Sequence, residues 1–103
     1  MKISEYKLNK FDPDSCGELI TTVYCKHYGF ECEGKVYTSV GELDEDYIVS
    51  AMIKIICKWT DKEGYSRTTT FYDSTFKEFT EESIKEFIEF ELKCLYTMYR
   101  DGK

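Results

Sequence analysis

From residue 47 to residue 60 the chain alternates: Val49, Ala51, Ile53, Ile55, Cys57 and Trp59 fall at odd positions, while Ser50, Lys54, Lys58 and Thr60 share the even ones with Ile48, Met52 and Ile56. An extended strand sends successive side chains to opposite faces, so this pattern makes a strand with a wholly apolar odd face. Asp61-Lys62-Glu63-Gly64 comes next and has the form of a type I turn closed by a left-handed glycine. Such a turn sets Asp61 against Tyr65, and therefore Trp59 against Arg67, Cys57 against Thr69 and Ile55 against Phe71. A strand is predicted over 65–73.

An apolar face on this strand needs a cover, and the end of the chain supplies one. Ile84, Phe87, Ile88, Leu92, Leu95, Met98 and Tyr99 recur at three-to-four spacing, with Phe90 and Cys94 widening the stripe. Thr80 is a suitable N-cap, Glu81 and Glu82 fall in the positive first turn, and Phe79 and Ile84 stand at the positions of a hydrophobic staple. Arg100 lies in the last turn before Gly102. Upstream, residues 18–32 are rich in Thr, Val, Tyr, Ile and Phe and read as a strand with a bulge at Gly29; Glu33-Gly34 reads as the hairpin turn into a second strand over 35–43. Residues 2–11 alternate loosely, as an edge strand or a short helical arm would, with the strand favoured, and Asp12-Pro13-Asp14-Ser15 reads as a turn. The expectation is a single α+β domain over 1–103: an antiparallel meander of four or five strands packed against one long C-terminal helix. Its second sheet face is mixed, with Tyr24, Tyr28, Phe30, Met52, Ile56 and Tyr72 gathered there.

At 103 residues the chain can build one core. Its longest apolar run, over 48–59, is interrupted by Ser50, Lys54 and Lys58 and falls short of a membrane span. The opening Met1-Lys2-Ile3-Ser4-Glu5 has no apolar leader region, and five irregularly spaced cysteines suit a reducing compartment, so a cytoplasmic location is expected. Catalysis has little to draw on. His27 is the one histidine, no phosphate-cradling glycine loop or nucleophile elbow occurs, and no enzyme is expected. Cys16, Cys25, His27 and Cys32 are the set to consider for zinc, but their spacing lacks the close ligand pairs of zinc knuckles. The acids around Glu42 lack the glycine turn and the terminal glutamate of a calcium loop. No metal and no cofactor are expected.

Charge gives the strongest local signal. The chain carries 20 acids against 14 bases, and residues 31–47 hold six of the acids with a single base, Lys35. Five of the six net negative charges thus fall in this stretch. A field of that sign disfavours direct nucleic-acid binding and calls for a basic protein partner. Nine tyrosines add amphipathic rings of the kind that anchor recognition surfaces. Glu31, Glu33, Glu42, Asp44, Glu45 and Asp46, with Tyr37 and Tyr47 beside them, are therefore the candidate contact residues.

In size, charge and architecture the chain resembles the phage and mobile-element inhibitors of bacterial defence, anti-CRISPR proteins above all. The resemblance spans the whole chain and rests on no shared motif. It implies a small acidic inhibitor that occludes the DNA or PAM channel of a Cas nuclease, type II favoured, with carboxylates standing where phosphates would. The alternative is a protein–protein interaction or homodimeric assembly module without DNA mimicry, joined through an edge strand or the mixed sheet face.

Overall fold

The computed structural model describes residues 2–4, 6, 8, 18–43, 49–75 and 80–102. Five antiparallel strands, β1 (Lys2–Ile3), β2 (Glu18–His27), β3 (Phe30–Leu43), β4 (Val49–Thr60) and β5 (Ser66–Thr75), form one sheet in chain order, and the helix α1 (Glu81–Asp101) follows. This is the expected α+β meander with a long C-terminal helix.

The β4–β5 hairpin has the register that its turn dictates. Trp59 faces Arg67, Cys57 faces Thr69 and Ile55 faces Phe71. Asp61 N–H donates to Tyr65 O at 3.0 Å, Gly64 N–H to Asp61 O at 3.1 Å, and Gly64 has φ 90°. The Asp61 carboxylate completes the turn: Oδ1 accepts from the N–H groups of Glu63 and Tyr65, and Oδ2 accepts from Arg67 Nε at 2.9 Å. These bonds, that from Tyr65 first, hold the Asp61 carboxyl below its ordinary pKa.

The β2–β3 hairpin corrects the sequence reading. Its turn is Tyr28-Gly29, with φ 44° and 85°, and Glu33-Gly34 lies inside β3. Two successive positive φ angles are those of a type I′ turn, whose twist matches that of the flanking strands. Gly29 is therefore a turn residue and no bulge; the β2–β3 register breaks instead between Leu19 and Thr21. The two-residue loop pairs His27 with Phe30, so even positions of β3 share a face with odd positions of β2. Phe30 consequently faces the core, fully buried, rather than joining Tyr24 on the open side.

The core lies between sheet and helix. Val23, Cys25, Val36, Ile53, Ile55 and Cys57 from the sheet meet Ile84, Phe87, Ile88, Leu92 and Leu95 from the helix, all buried. Gly34 is fitted into this layer: a Cβ there would stand 2.9 Å from Ile55 Cδ1 and 3.1 Å from Val23 Cγ2. Phe90, expected on the apolar stripe, lies on the outer side of the helix and is 64 % exposed. The stripe is set by 84, 88, 92 and 95, and at about 100° per residue position 90 falls nearly opposite 88.

Both helix ends are closed. Thr80 Oγ1 accepts from Ser83 N–H, and Ser83 Oγ accepts in return from Thr80 N–H. Gly102 takes a left-handed C-cap conformation with φ 70°. Lys62 of the β4–β5 turn donates to Arg100 O at 2.8 Å and lies 5.6 Å from the centre of the Tyr99 ring, tying turn to helix end. The same end holds an aromatic cluster in which Phe30 lies 5.1 Å from Tyr99 and 6.2 Å from Trp59. At the N-terminus β1 is an edge strand, as expected, though only two residues long; Ile3 pairs with Cys25, while Tyr6 and Leu8 pack against the core. The Asp12–Ser15 turn, Cys16 and Phe79 lie outside the described residues. No described helix is long and apolar enough to cross a membrane.

Candidate interaction surface

Strand alternation hands one face of the sheet to α1 and leaves the other uncovered among the described residues. Across that open face the register aligns Tyr24 with Glu33, Lys58 and Thr68, and Tyr37 with Lys54 and Tyr72. Tyr24 is 55 % exposed, Met52 46 % and Tyr72 66 %. A shallow depression of about 420 Å³ is lined by Tyr24, Lys26, Glu31, Glu33, Lys58 and Thr68 among others, and a second, sharing Glu33 and Lys58, extends to Lys35 and Tyr37.

Three of the expected contact residues come together here. Glu31, Glu33 and Tyr37 alternate along β3 and point to the open face. Asp44, Glu45, Asp46 and Tyr47 lie outside the described residues, and of Glu42 only the strand position is described. The sequence reading missed the company these acids keep. Lys26, Lys35, Lys54 and Lys58 stand on the same face; Lys26 Nζ is 3.4 Å from Glu31 Oε1, and Lys54 Nζ is 5.4 Å from the centre of the Tyr37 ring. The Lys26–Glu31 pair is well exposed and worth no more than about 1 kcal/mol. Its significance is chemical: this part of the surface mixes charges of both signs with tyrosine rings. The alternation of β4 already placed Lys54 and Lys58 here; Lys26 could be assigned only once the turn was at Tyr28-Gly29.

Among the described residues, the thiols and His27 are not assembled into a reactive site. His27 packs edge-on between Tyr28 and Tyr96, with ring centroids 4.4 and 4.6 Å away. Cys25 and Cys32 face each other across β2 and β3, both buried and free. Burial pushes the Cys25 thiol up to about 11. A hydrogen bond with Cys57 and burial raise that of Cys32. Such thiols stay protonated near neutrality and lack the thiolate that nucleophilic attack requires. No described group of three or more His, Cys, Asp or Glu side chains is arranged to hold a metal ion.

No family model matches this chain, and neither a curated protein nor a solved structure matches it.

Proposed function

We propose that this protein is a small acidic inhibitor that acts by occlusion, seating itself in a positively charged nucleic-acid groove of a bacterial defence nuclease such as a Cas effector. The observation that carries this reading is the crowding of six acids and one base into residues 31–47, along β3 and the connection to β4. A rigid sheet holds the first two of these acids, Glu31 and Glu33, beside Tyr37 on an uncovered face. Carboxylates fixed on a scaffold can occupy phosphate positions in a basic groove, while tyrosines supply rigid apolar contact.

A second reading, a protein–protein assembly module without DNA mimicry, is favoured by one specific observation. Glu31 and Glu33 are interleaved with Lys26, Lys35 and Lys58, a mixed pattern that suits a partner with both signs of charge.

A pull-down of tagged protein from bacterial lysates containing individual Cas effector complexes separates the two. One variant carries Glu42→Gln, Asp44→Asn, Glu45→Gln and Asp46→Asn; another carries Tyr24→Ala and Tyr72→Ala. Capture of an effector by the wild type, lost in the acid-neutralised variant and weakened by salt, supports occlusion. Capture that survives neutralisation but fails in the tyrosine variant supports the assembly module. An effector panel that captures nothing overturns the inhibitor reading.

A further inference from the structure

The sheet ends at β5, which has β4 as its one neighbouring strand among the described residues. Its pairing with β4 runs from Thr60–Ser66 to Ala51–Thr75 without a register shift, so nothing kinks or twists this edge away. Between Arg67 and Asp73 stand Thr68, Thr69, Thr70, Phe71 and Tyr72, with neither charge nor proline. Protected edges carry such blocking residues; among the described residues no strand covers this one.

The backbone states which groups are on offer. Asp61 N–H donates to Tyr65 O, so in an antiparallel ladder the odd residues of β5 exchange their bonds with β4. The even residues, Thr68, Thr70 and Tyr72 among them, turn their N–H and C=O groups outward.

We propose that two copies of this chain associate through β5, antiparallel about a two-fold axis at Thr70, making one sheet that is continuous across both copies. In this register outward residues meet outward residues: Thr70 faces its own copy and Thr68 faces Tyr72. It also sets Arg67 opposite the partner copy's Asp73, on the helix side of the sheet. Moving the axis by one residue breaks this match, placing Arg67 opposite Phe71 for an axis at Thr69 or opposite Thr75 for an axis at Phe71, instead of an acid.

An independent observation marks where that arginine goes. Burial, and after it the charge of Asp73 on β5, raises the Glu91 carboxyl of α1. Neither acid is in an ion pair with another described residue, and Asp73 Oδ1 accepts from Ser74 N–H at 2.8 Å. Arg67 bonds Asp61 through Nε, is 57 % exposed, and keeps its Nη donors for a second carboxylate. The two-fold makes this pairing twice. Because the axis is perpendicular to the sheet, both helices lie on one side and the two open faces join into one larger surface. The association does not depend on a nuclease partner, and its failure would leave the inhibitor reading standing.

Sedimentation equilibrium of the full chain tests it with three variants. The wild type should show a monomer–dimer equilibrium. Thr70→Pro should lose the dimer while keeping its far-ultraviolet circular dichroism, since the N–H it removes points away from β4. Asp73→Arg relieves the repulsion with Glu91 within one copy yet sets arginine against arginine across the axis, so it should weaken association by about tenfold or more. Arg67→Glu combined with Asp73→Arg should restore it. A wild type that sediments as a monomer throughout, a Thr70→Pro protein that dimerises as before, or an Asp73→Arg protein that associates like the wild type overturns the proposal.

Discussion

Gly34 is the residue at which the shape of the core and the sequence pattern come into conflict. A glycine after a glutamate, between two β-rich segments, looks like a turn, yet the structure uses it as a space: Val23 and Ile55 close over the position where a side chain would stand. Both neighbours are fully buried, so neither can step aside into solvent. Two effects oppose each other in Gly34→Ala. The alanine narrows the unfolded ensemble, a gain of about 0.4–1 kcal/mol, while overpacking a well-filled core costs about 1–3 kcal/mol. Overpacking wins because the contacts at 2.9 and 3.1 Å come from two different strands. The variant should unfold about 1 kcal/mol more readily, read as a lower urea midpoint at unchanged slope; a midpoint at or above that of the wild type would mean that Ile55 can repack. No periodicity signals this constraint, since it arises from three strands meeting.

At the scale of elements, the two hairpins differ in how much of them could be read beforehand. The β4–β5 turn declares itself because Asp61 and Gly64 occupy the positions where a carboxylate acceptor and a left-handed residue are needed. Helix α1 was equally open to reading, with Thr80 before it, Gly102 after it and the stripe between; only Phe90 was put on the wrong side. The β2–β3 turn hid because its first residue is Tyr28, which holds φ 44° where asparagine is the usual choice. A left-handed conformation costs an ordinary residue about 1–2 kcal/mol. Against that stands one edge-on contact with His27, worth about 0.5–1.5 kcal/mol at best and less at a tip where Tyr28 is 87 % exposed. Tyr28→Asn should therefore stabilise the protein, by about 0.5 kcal/mol, raising Tm by about 2–4 °C in a thermal melt followed by circular dichroism. A fall in Tm would show that the ring contact outweighs the backbone strain.

For the whole molecule, the sheet–helix arrangement decides both what the surface offers and how the protein comes apart. The run of acids in residues 31–47 was legible, but its spatial meaning was not: strand pairing sets lysines from β2 and β4 beside Glu31 and Glu33, and those lysines come from parts of the chain with no acidic bias. A linear charge count cannot anticipate such mixing, because it depends on register. The core has the converse property of joining everything. Ile53, Ile55 and Val36 on the sheet share one buried cluster with Ile88, Leu92 and Leu95 on α1, and Trp59 packs against Tyr99. Neither layer keeps an apolar face buried without the other, so sheet and helix should unfold together. Leu92 is fully buried at the middle of the helix, and Leu92→Ala should cost about 2–5 kcal/mol. For a domain whose total stability is about 5–15 kcal/mol, that is a large share. Circular dichroism reports mainly α1 and fluorescence reports Trp59, which donates through Nε1 to Thr69 in the sheet. With one shared core the two signals have the same urea midpoint in the wild type, and Leu92→Ala lowers both by the same amount. Separation of the midpoints, with Trp59 keeping its native signal after the helix has melted, would show that the sheet holds together without α1.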